Sequence, residues 1–286
     1  STNGPFQLIS VLGGSPNGTG AWSNAANNPV SGTFTPGITA PGLFKYIVTG
    51  TPPCVNDTGF VTVNVNQAPN AGQNASILVC SSAATFPLIG VLGGTPDPGG
   101  SWVGPTGSAV PSGNYTPGTS LPGGYTYTVA GQTPCLAATA VVTVSQNRQP
   151  VAGTNGSFTR CSTDGAVDLF LQLGGTPDNG GSWTGPGGPS SGVFNPATSP
   201  SGVYVYTVLG TAPCTNATAT VMATVNAAPN AGIGGTLTIC QGTTSVDLFT
   251  GLTGTPDLTG TWSEVNTSGN LSANFFTPSG LPAGDY

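Results

Sequence analysis

Tyr125-Thr-Tyr-Thr-Val129 and Ala138-Thr-Ala-Val-Val-Thr-Val144, joined through a turn at Pro134-Cys135, decide the fold. Both runs alternate large apolar residues with smaller ones, the period-two pattern of half-buried strands, and the turn makes them a hairpin. The pattern recurs. Phe44-Lys-Tyr-Ile-Val48 copies the first run, and Tyr204-Val-Tyr-Thr-Val208 with Ala217-Thr-Ala-Thr-Val-Met-Ala-Thr-Val225 copies both. A further strand reads Ser76-Ile-Leu-Val-Cys80 or Thr236-Leu-Thr-Ile-Cys240, another holds a tryptophan, and a short one ends at Phe34 or Phe194. Val246-Asp-Leu-Phe-Thr-Gly-Leu252 reads equally well as a helical turn or an irregular strand. Short strands punctuated by Gly and Pro predict an all-β chain of sandwiches.

The tryptophans measure the repeat. Trp22, Trp102, Trp183 and Trp262 stand 80, 81 and 79 residues apart. Leu92-Gly-Gly-Thr-Pro-Asp97, Leu173-Gly-Gly-Thr-Pro-Asp178 and Leu252-Thr-Gly-Thr-Pro-Asp257 precede the last three, and the looser Leu12-Gly-Gly-Ser-Pro-Asn17 precedes the first. Ala68-Pro-Asn-Ala-Gly72 and Ala228-Pro-Asn-Ala-Gly232 are identical linkers, with Gln149-Pro-Val-Ala-Gly153 as their counterpart. Self-similarity of this kind marks a tandem array, and Pro followed by Gly marks its boundaries. The expected domains are a partial repeat at 1–68, complete repeats at 69–149 and 150–228, and a partial repeat at 229–286. The opening Ser1-Thr2-Asn3 has neither Met nor a basic region, so no signal peptide is expected in this stretch. A chain that starts and stops inside a repeat is expected to be a piece of something longer.

Composition removes several functions. Charged residues are 4% of the 286, far below the roughly 25% of ordinary soluble domains. There is no histidine, one glutamate (Glu264), and only Lys45, Arg148 and Arg160 as cations. Nucleic-acid binding needs clustered cations, so no nucleic-acid partner is expected. The formal charge of −6 argues against docking on an anionic membrane, and no apolar run is long enough to insert as a helix. Gly (46) and Pro (27) are abundant, but aromatic and β-branched residues at fixed positions exclude disorder.

Six cysteines fall at 54, 80, 135, 161, 214 and 240, with no Cys-x-x-Cys pair. Without histidine, zinc ligation and thiol catalysis lack their partners, which leaves disulfides and an oxidising compartment. Pairing inside a repeat gives Cys80–Cys135 and Cys161–Cys214, with Cys54 and Cys240 bonded outside this stretch. Pairing across the linkers gives Cys54–Cys80, Cys135–Cys161 and Cys214–Cys240, each 26 residues apart. The first scheme is favoured because the strands ending at Cys80 and before Cys135 bring their ends together if they lie side by side.

Each candidate site has a structural counterpart. Asp97, Asp178 and Asp257 recur at the Thr-Pro-Asp position and are weak Ca²⁺ candidates, but a Thr-Pro-Asp turn needs no ion and calcium wants six to eight oxygens. The other recurring acid, Asp168/Asp247, is Leu88 in the second repeat. Asp164, Asp168 and Asp178 form the densest acidic group, without the recurring carboxylate pair that glycoside chemistry demands. The four tryptophans are read as core anchors, with a sugar-stacking platform as the alternative. Sequons at Asn17, Asn56, Asn74, Asn114, Asn155, Asn216, Asn266 and Asn270 carry little weight in a chain so rich in Asn and Thr. No catalytic residue and no cofactor is expected.

Taken together, the linkers, the strand ending in Cys, Leu-Gly-Gly-Thr-Pro-Asp, Gly-Gly-x-Trp, Gly-x-Tyr-x-Tyr-x-Val and Pro-Cys resemble the immunoglobulin-like (PKD-like) repeats of giant surface adhesins of Bacteroidota, the gliding-motility type included. The resemblance spans essentially the whole chain. It implies tandem immunoglobulin-like sandwiches forming an extended rod, export by type IX secretion, and display at the cell surface. The function it implies is a stalk or filament rather than an enzyme, with other copies of the repeat as partners. A carbohydrate-binding array, gripping surface polysaccharide by avidity, is the alternative.

Overall fold

The computed structural model describes residues 4–265, 268–282 and 284–285, so the sequon at Asn266 lies outside the described residues. The chain divides into two compact units. One is Ser1–Pro150 together with Leu209–Ala217, and the other is Val151–Val208 together with Thr218–Tyr286.

In the first unit, strands β1 (Phe6–Gln7), β2 (Ala21–Asn24), β3 (Thr33–Phe34), β4 (Gly42–Val48) and β5 (Asp57–Val63) make two layers, β1-β3 and β2-β4-β5. The next copy adds β6 (Ala75–Cys80), β7 (Phe86–Pro87), β8 (Ser101–Val103), β9 (Asn114–Tyr115), β10 (Gly123–Val129) and β11 (Ala138–Asn147). Its four-stranded sheet runs β6-β11-β10-β8 and its second layer is β7-β9. The hairpin read from the sequence is β10-β11, in the register Val129↔Ala138 to Gly123↔Val144.

Alternation places the core. Tyr125, Tyr127 and Val129 on β10 and Ala140, Val142 and Val144 on β11 are buried, and the intervening residues face outward. Leu88 and Tyr115 come in from the other layer, and Trp102 from β8 completes the cluster. Each fully buried large side chain stabilises by about 1.5–3 kcal/mol relative to exposure. The Tyr125 hydroxyl donates to the carbonyl of Leu121 at 2.7 Å, fixing the entry to β10, and Tyr204 does the same to Pro200 at 2.9 Å. This is the tyrosine corner of immunoglobulin-like sandwiches, as is a buried tryptophan on the strand beside it.

The second unit repeats the plan with β12 (Gly156–Cys161), β13 (Val167–Asp168), β14 (Ser182–Gly185), β15 (Gly188–Ser190), β16 (Val193–Phe194), β17 (Gly202–Val208) and β18 (Ala217–Asn226). The order is β12-β18-β17-β14-β15 over β13-β16, with β15 as an added edge strand. The chain is therefore a tandem series of immunoglobulin-like β-sandwiches. The last copy contributes β19 (Val246–Asp247), β20 (Leu271–Ser272) and β21 (Phe275–Phe276) as one small sheet.

Three details differ from the sequence reading or complete it. Val246–Leu252 is both of its alternatives: β19, then a 3-10 turn at Leu248–Gly251, capped by the Asp247 side chain. Residues 236–240 form no strand. Their equivalents β6 and β12 lie parallel to β11 and β18, and the described residues of 229–286 hold no such partner strand for the last copy. For the same reason Trp262 sits outside any strand and is only half-buried, stacked edge-on against Phe249 at 5.4 Å.

Candidate functional site at the repeat junction

The repeated motifs converge on the ends of the sandwiches. Trp102 lies opposite Tyr127 in the β8-β10 register, with ring centroids 4.8 Å apart. Trp22–Tyr46 and Trp183–Tyr206 repeat the pair at 4.8 and 5.0 Å. The Tyr127 hydroxyl accepts from the Gly100 amide at 2.9 Å and donates to the Asp97 carbonyl at 2.6 Å. A side chain on Gly100 would meet the Tyr127 ring at 2.5 Å, and one on Gly20 or Gly181 would meet Tyr46 or Tyr206 in the same way, which explains the glycine ahead of Trp22, Trp102 and Trp183. Trp22, Trp102 and Trp183 are buried core residues. Their faces are closed to a sugar.

The same loops grip the linkers. Asp97 and Asn70 exchange backbone and side-chain bonds: the Asp97 amide donates to the Asn70 carbonyl at 2.7 Å, and the Asn70 amide donates to Asp97 Oδ2 at 2.8 Å. Asn70 Nδ2 adds a bond to the Thr95 carbonyl at 2.8 Å. Asp178 holds Val151 and Asp257 holds Asn230 in the same reciprocal way. The three calcium candidates thus spend a carboxylate oxygen each on a linker amide. Among the described residues, no group of three His, Cys, Asp or Glu side chains could hold a metal.

Beyond the linker lies the Pro-Cys loop. Asn66, just before the first linker, donates from Nδ2 to the Thr133 carbonyl at 2.8 Å, and Cys135 Sγ lies 3.4 Å from the Asn66 carbonyl oxygen. Asn147 plays the same part for the loop at 209–217: its Nδ2 donates to the Ala212 carbonyl at 2.7 Å, and Cys214 Sγ lies 3.4 Å from its carbonyl oxygen. Gln149 adds a bond from Nε2 to the Thr215 carbonyl at 2.9 Å. In this second case the loop is also stapled. Cys80 and Cys214 form a disulfide with Cα atoms 4.9 Å apart and a sequence separation of 134. Closing a loop of that size stabilises by about 5 kcal/mol in the chain-entropy treatment.

This overturns both pairing schemes. The favoured Cys80–Cys135 and Cys161–Cys214, and the alternative Cys54–Cys80, Cys135–Cys161 and Cys214–Cys240, give way to Cys80–Cys214. Cys54, Cys135, Cys161 and Cys240 are free thiols. The cause is strand direction. β6 runs parallel to β11 and places Cys80 opposite Asn147, whereas the loop with Cys135 precedes Ala138 at the other end of β11. Nine strand residues, about 30 Å, separate the two. The signal that sequence reasoning missed is the asparagine three residues before each linker proline: Asn66, Asn147 and Asn226. At Asn147 it marks where loop and strand end meet.

The remaining candidates serve the backbone. Asp164 Oδ2 accepts from the Cys161 amide at 2.9 Å, and Asp168 Oδ1 accepts from the Phe170 amide at 2.9 Å. The sequon residues Asn56, Asn74, Asn155 and Asn216 accept backbone amides of Gly50, Val141, Thr220 and Gly210 through their Oδ1 atoms. The hydroxyl of Ser268, then the amides of Gly269 and Ser268, hold the Glu264 carboxyl below its ordinary range. Cys161 is the chemically distinctive thiol. The Thr163 hydroxyl donates to its sulfur at 3.2 Å and holds it below the usual thiol range.

No family model matches the chain. No curated protein matches it either. Among solved structures, the chain is similar to an I-band fragment from titin, at 13% identity over 72% of this chain and 87% of that one, with a TM-score of 0.44. It is also similar to the insect immune protein hemolin (13% identity, 64% and 56% covered, TM-score 0.39). A third similar structure is the four N-terminal immunoglobulin domains of Dscam1 (14% identity, 72% and 64% covered, TM-score 0.33).

Proposed function

We propose that this chain is a load-bearing segment, stalk or filament, of a secreted surface adhesin. The observation that carries the reading is the junction itself. The linker at 149–153 is pinned by a reciprocal aspartate clamp, by Asn147 at the end of β11 bonding to the Pro-Cys loop, and by a disulfide between the second copy and the loop of the third. Such investment at junctions suits a part that transmits force between modules, whereas free linkers suit independent binders. A disulfide fits an extracellular location. The resemblance to Bacteroidota adhesin repeats adds type IX export and a role in gliding or adhesion. The burial of Trp22, Trp102 and Trp183 weighs against the sugar-binding alternative, which would be left with Trp262 for its platform.

Negative-stain images of the intact oxidised protein test the reading. Rods should lengthen by about 30–40 Å per repeat, the length of an eight-to-ten-residue strand plus its turns. Compact globules would end the stalk reading.

A further inference from the structure

We infer that the staple is propagated: each strand-end cysteine bonds to the Pro-Cys loop of the next repeat, so Cys135 and Cys161 are the open halves of two further disulfides. Both halves are built. Cys135 reproduces the seat of Cys214: the amide of each cysteine closes a turn on the residue three before it, Gln132 or Thr211. Each sulfur also lies 3.4 Å from the carbonyl oxygen of the junction asparagine, whose Nδ2 holds the same loop.

Cys161 reproduces the seat of Cys80. It ends a strand parallel to the hairpin's return strand, opposite Asn226 as Cys80 is opposite Asn147. The next serine amide donates to that asparagine's carbonyl in both, and the hydroxyl two residues on, Ser82 or Thr163, donates to the sulfur. The matching serine hydroxyl, Ser81 or Ser162, accepts the amide of Gln149 or Ala228.

Repeat register supplies the missing partners. Phe6 and Leu8 match Phe86 and Leu88, which places the strand-end cysteine owed to Cys135 directly ahead of Ser1 in a longer array. The partner of Cys161 belongs to the loop of the repeat that follows. In each bond two thiols lose two protons and two electrons, which a low-molecular-weight disulfide accepts as it leaves as two thiols. The depressed thiol of Cys161 favours the attacking thiolate.

One mechanical consequence follows. Consecutive staples overlap, so the shortest covalent path crosses a bond to Cys135, follows 26 residues to Cys161, and crosses the next bond. Those residues span at most about 90 Å when fully extended, for every two repeats. An array closed in this way gains little length even when its sandwiches unfold.

The test uses the full chain extended by a second copy of residues 68–80 placed ahead of Ser1. β5 has an open edge to receive that strand, as β11 receives β6. After refolding in reduced and oxidised glutathione and alkylation, a non-reducing peptide map should show the added cysteine bonded to Cys135. Cys80–Cys214 should persist, with Cys54, Cys161 and Cys240 alkylated. In the Cys135→Ser version the added cysteine should itself be alkylated. The inference is overturned if the added cysteine bonds to Cys54 or Cys80, or stays alkylated beside an intact Cys135. Loss of Cys80–Cys214 in the extended chain would overturn it too. Because the map is indifferent to shape, it stands or falls separately from the stalk reading.

Discussion

At the scale of single residues, the repeated motif is an atomic fit between Gly100, Tyr127 and Asp97. Gly100→Ala puts a methyl 2.5 Å from the Tyr127 ring and 2.6 Å from the Thr128 carbonyl, and neither neighbour has room. Its expected cost is about 1–3 kcal/mol, read as a lower denaturation midpoint. Tyr127→Phe keeps the stack on Trp102 but strands the Gly100 amide and the Asp97 carbonyl, at a similar cost. Cys161 gives a pH prediction. The Thr163 hydroxyl stabilises its thiolate, so Thr163→Ala should move the midpoint of iodoacetamide reactivity to higher pH and slow alkylation near neutrality. An unchanged profile would remove Thr163 from the account. Glycine and tyrosine in this fit were legible as motif letters, but not the contact they make. The sequence showed that they recur; only the β8-β10 register shows that they touch.

Among elements, the decisive fact is that β6 joins β11 in parallel. The hairpin β10-β11, the tryptophan strand and the short strand at Phe34 or Phe194 were all readable, because alternation and turn residues are local signals. Parallel pairing is not local. It depends on which edge the strand reaches after the linker, and the reciprocal bonds between Asn70 and Asp97 set that approach. Asp97→Ala should therefore loosen the linker without dissolving the sandwich. Amide hydrogen exchange at Asn70 should speed up by roughly fivefold to tenfold, the effect of losing one solvent-exposed hydrogen bond of about 1–1.5 kcal/mol. Core amides such as Val142 should keep their protection. Equal acceleration at both would show that the aspartate supports the whole fold rather than the linker.

For the whole molecule, the disulfide determines how much chain can be drawn out. With Cys80–Cys214 closed, the separation of 134 residues is hidden from tension. Stretching the chain by its ends should release about 440–480 Å less contour under oxidising conditions than after reduction, at 3.3–3.6 Å per residue. Cys80→Ser and Cys214→Ser should each give the reduced behaviour without reductant, and Cys54→Ser should not. A difference near about 360–390 Å, that of loops of 55 and 53 residues, would instead restore Cys80–Cys135 and Cys161–Cys214.

The sequence by itself determined the repeat, the all-β sandwich, the hairpins, the core placement of Trp22, Trp102 and Trp183 and the near absence of ionisable chemistry. These follow from periodicity, composition and spacing, which are written along one dimension. Tertiary structure alone decided which cysteine meets which. A disulfide needs two Cα atoms within about 7 Å, and that proximity is set by strand direction and junction packing rather than by distance along the chain. It was strand direction that separated Cys80 from Cys135 by the length of a sandwich and brought it, 134 residues on, to Cys214.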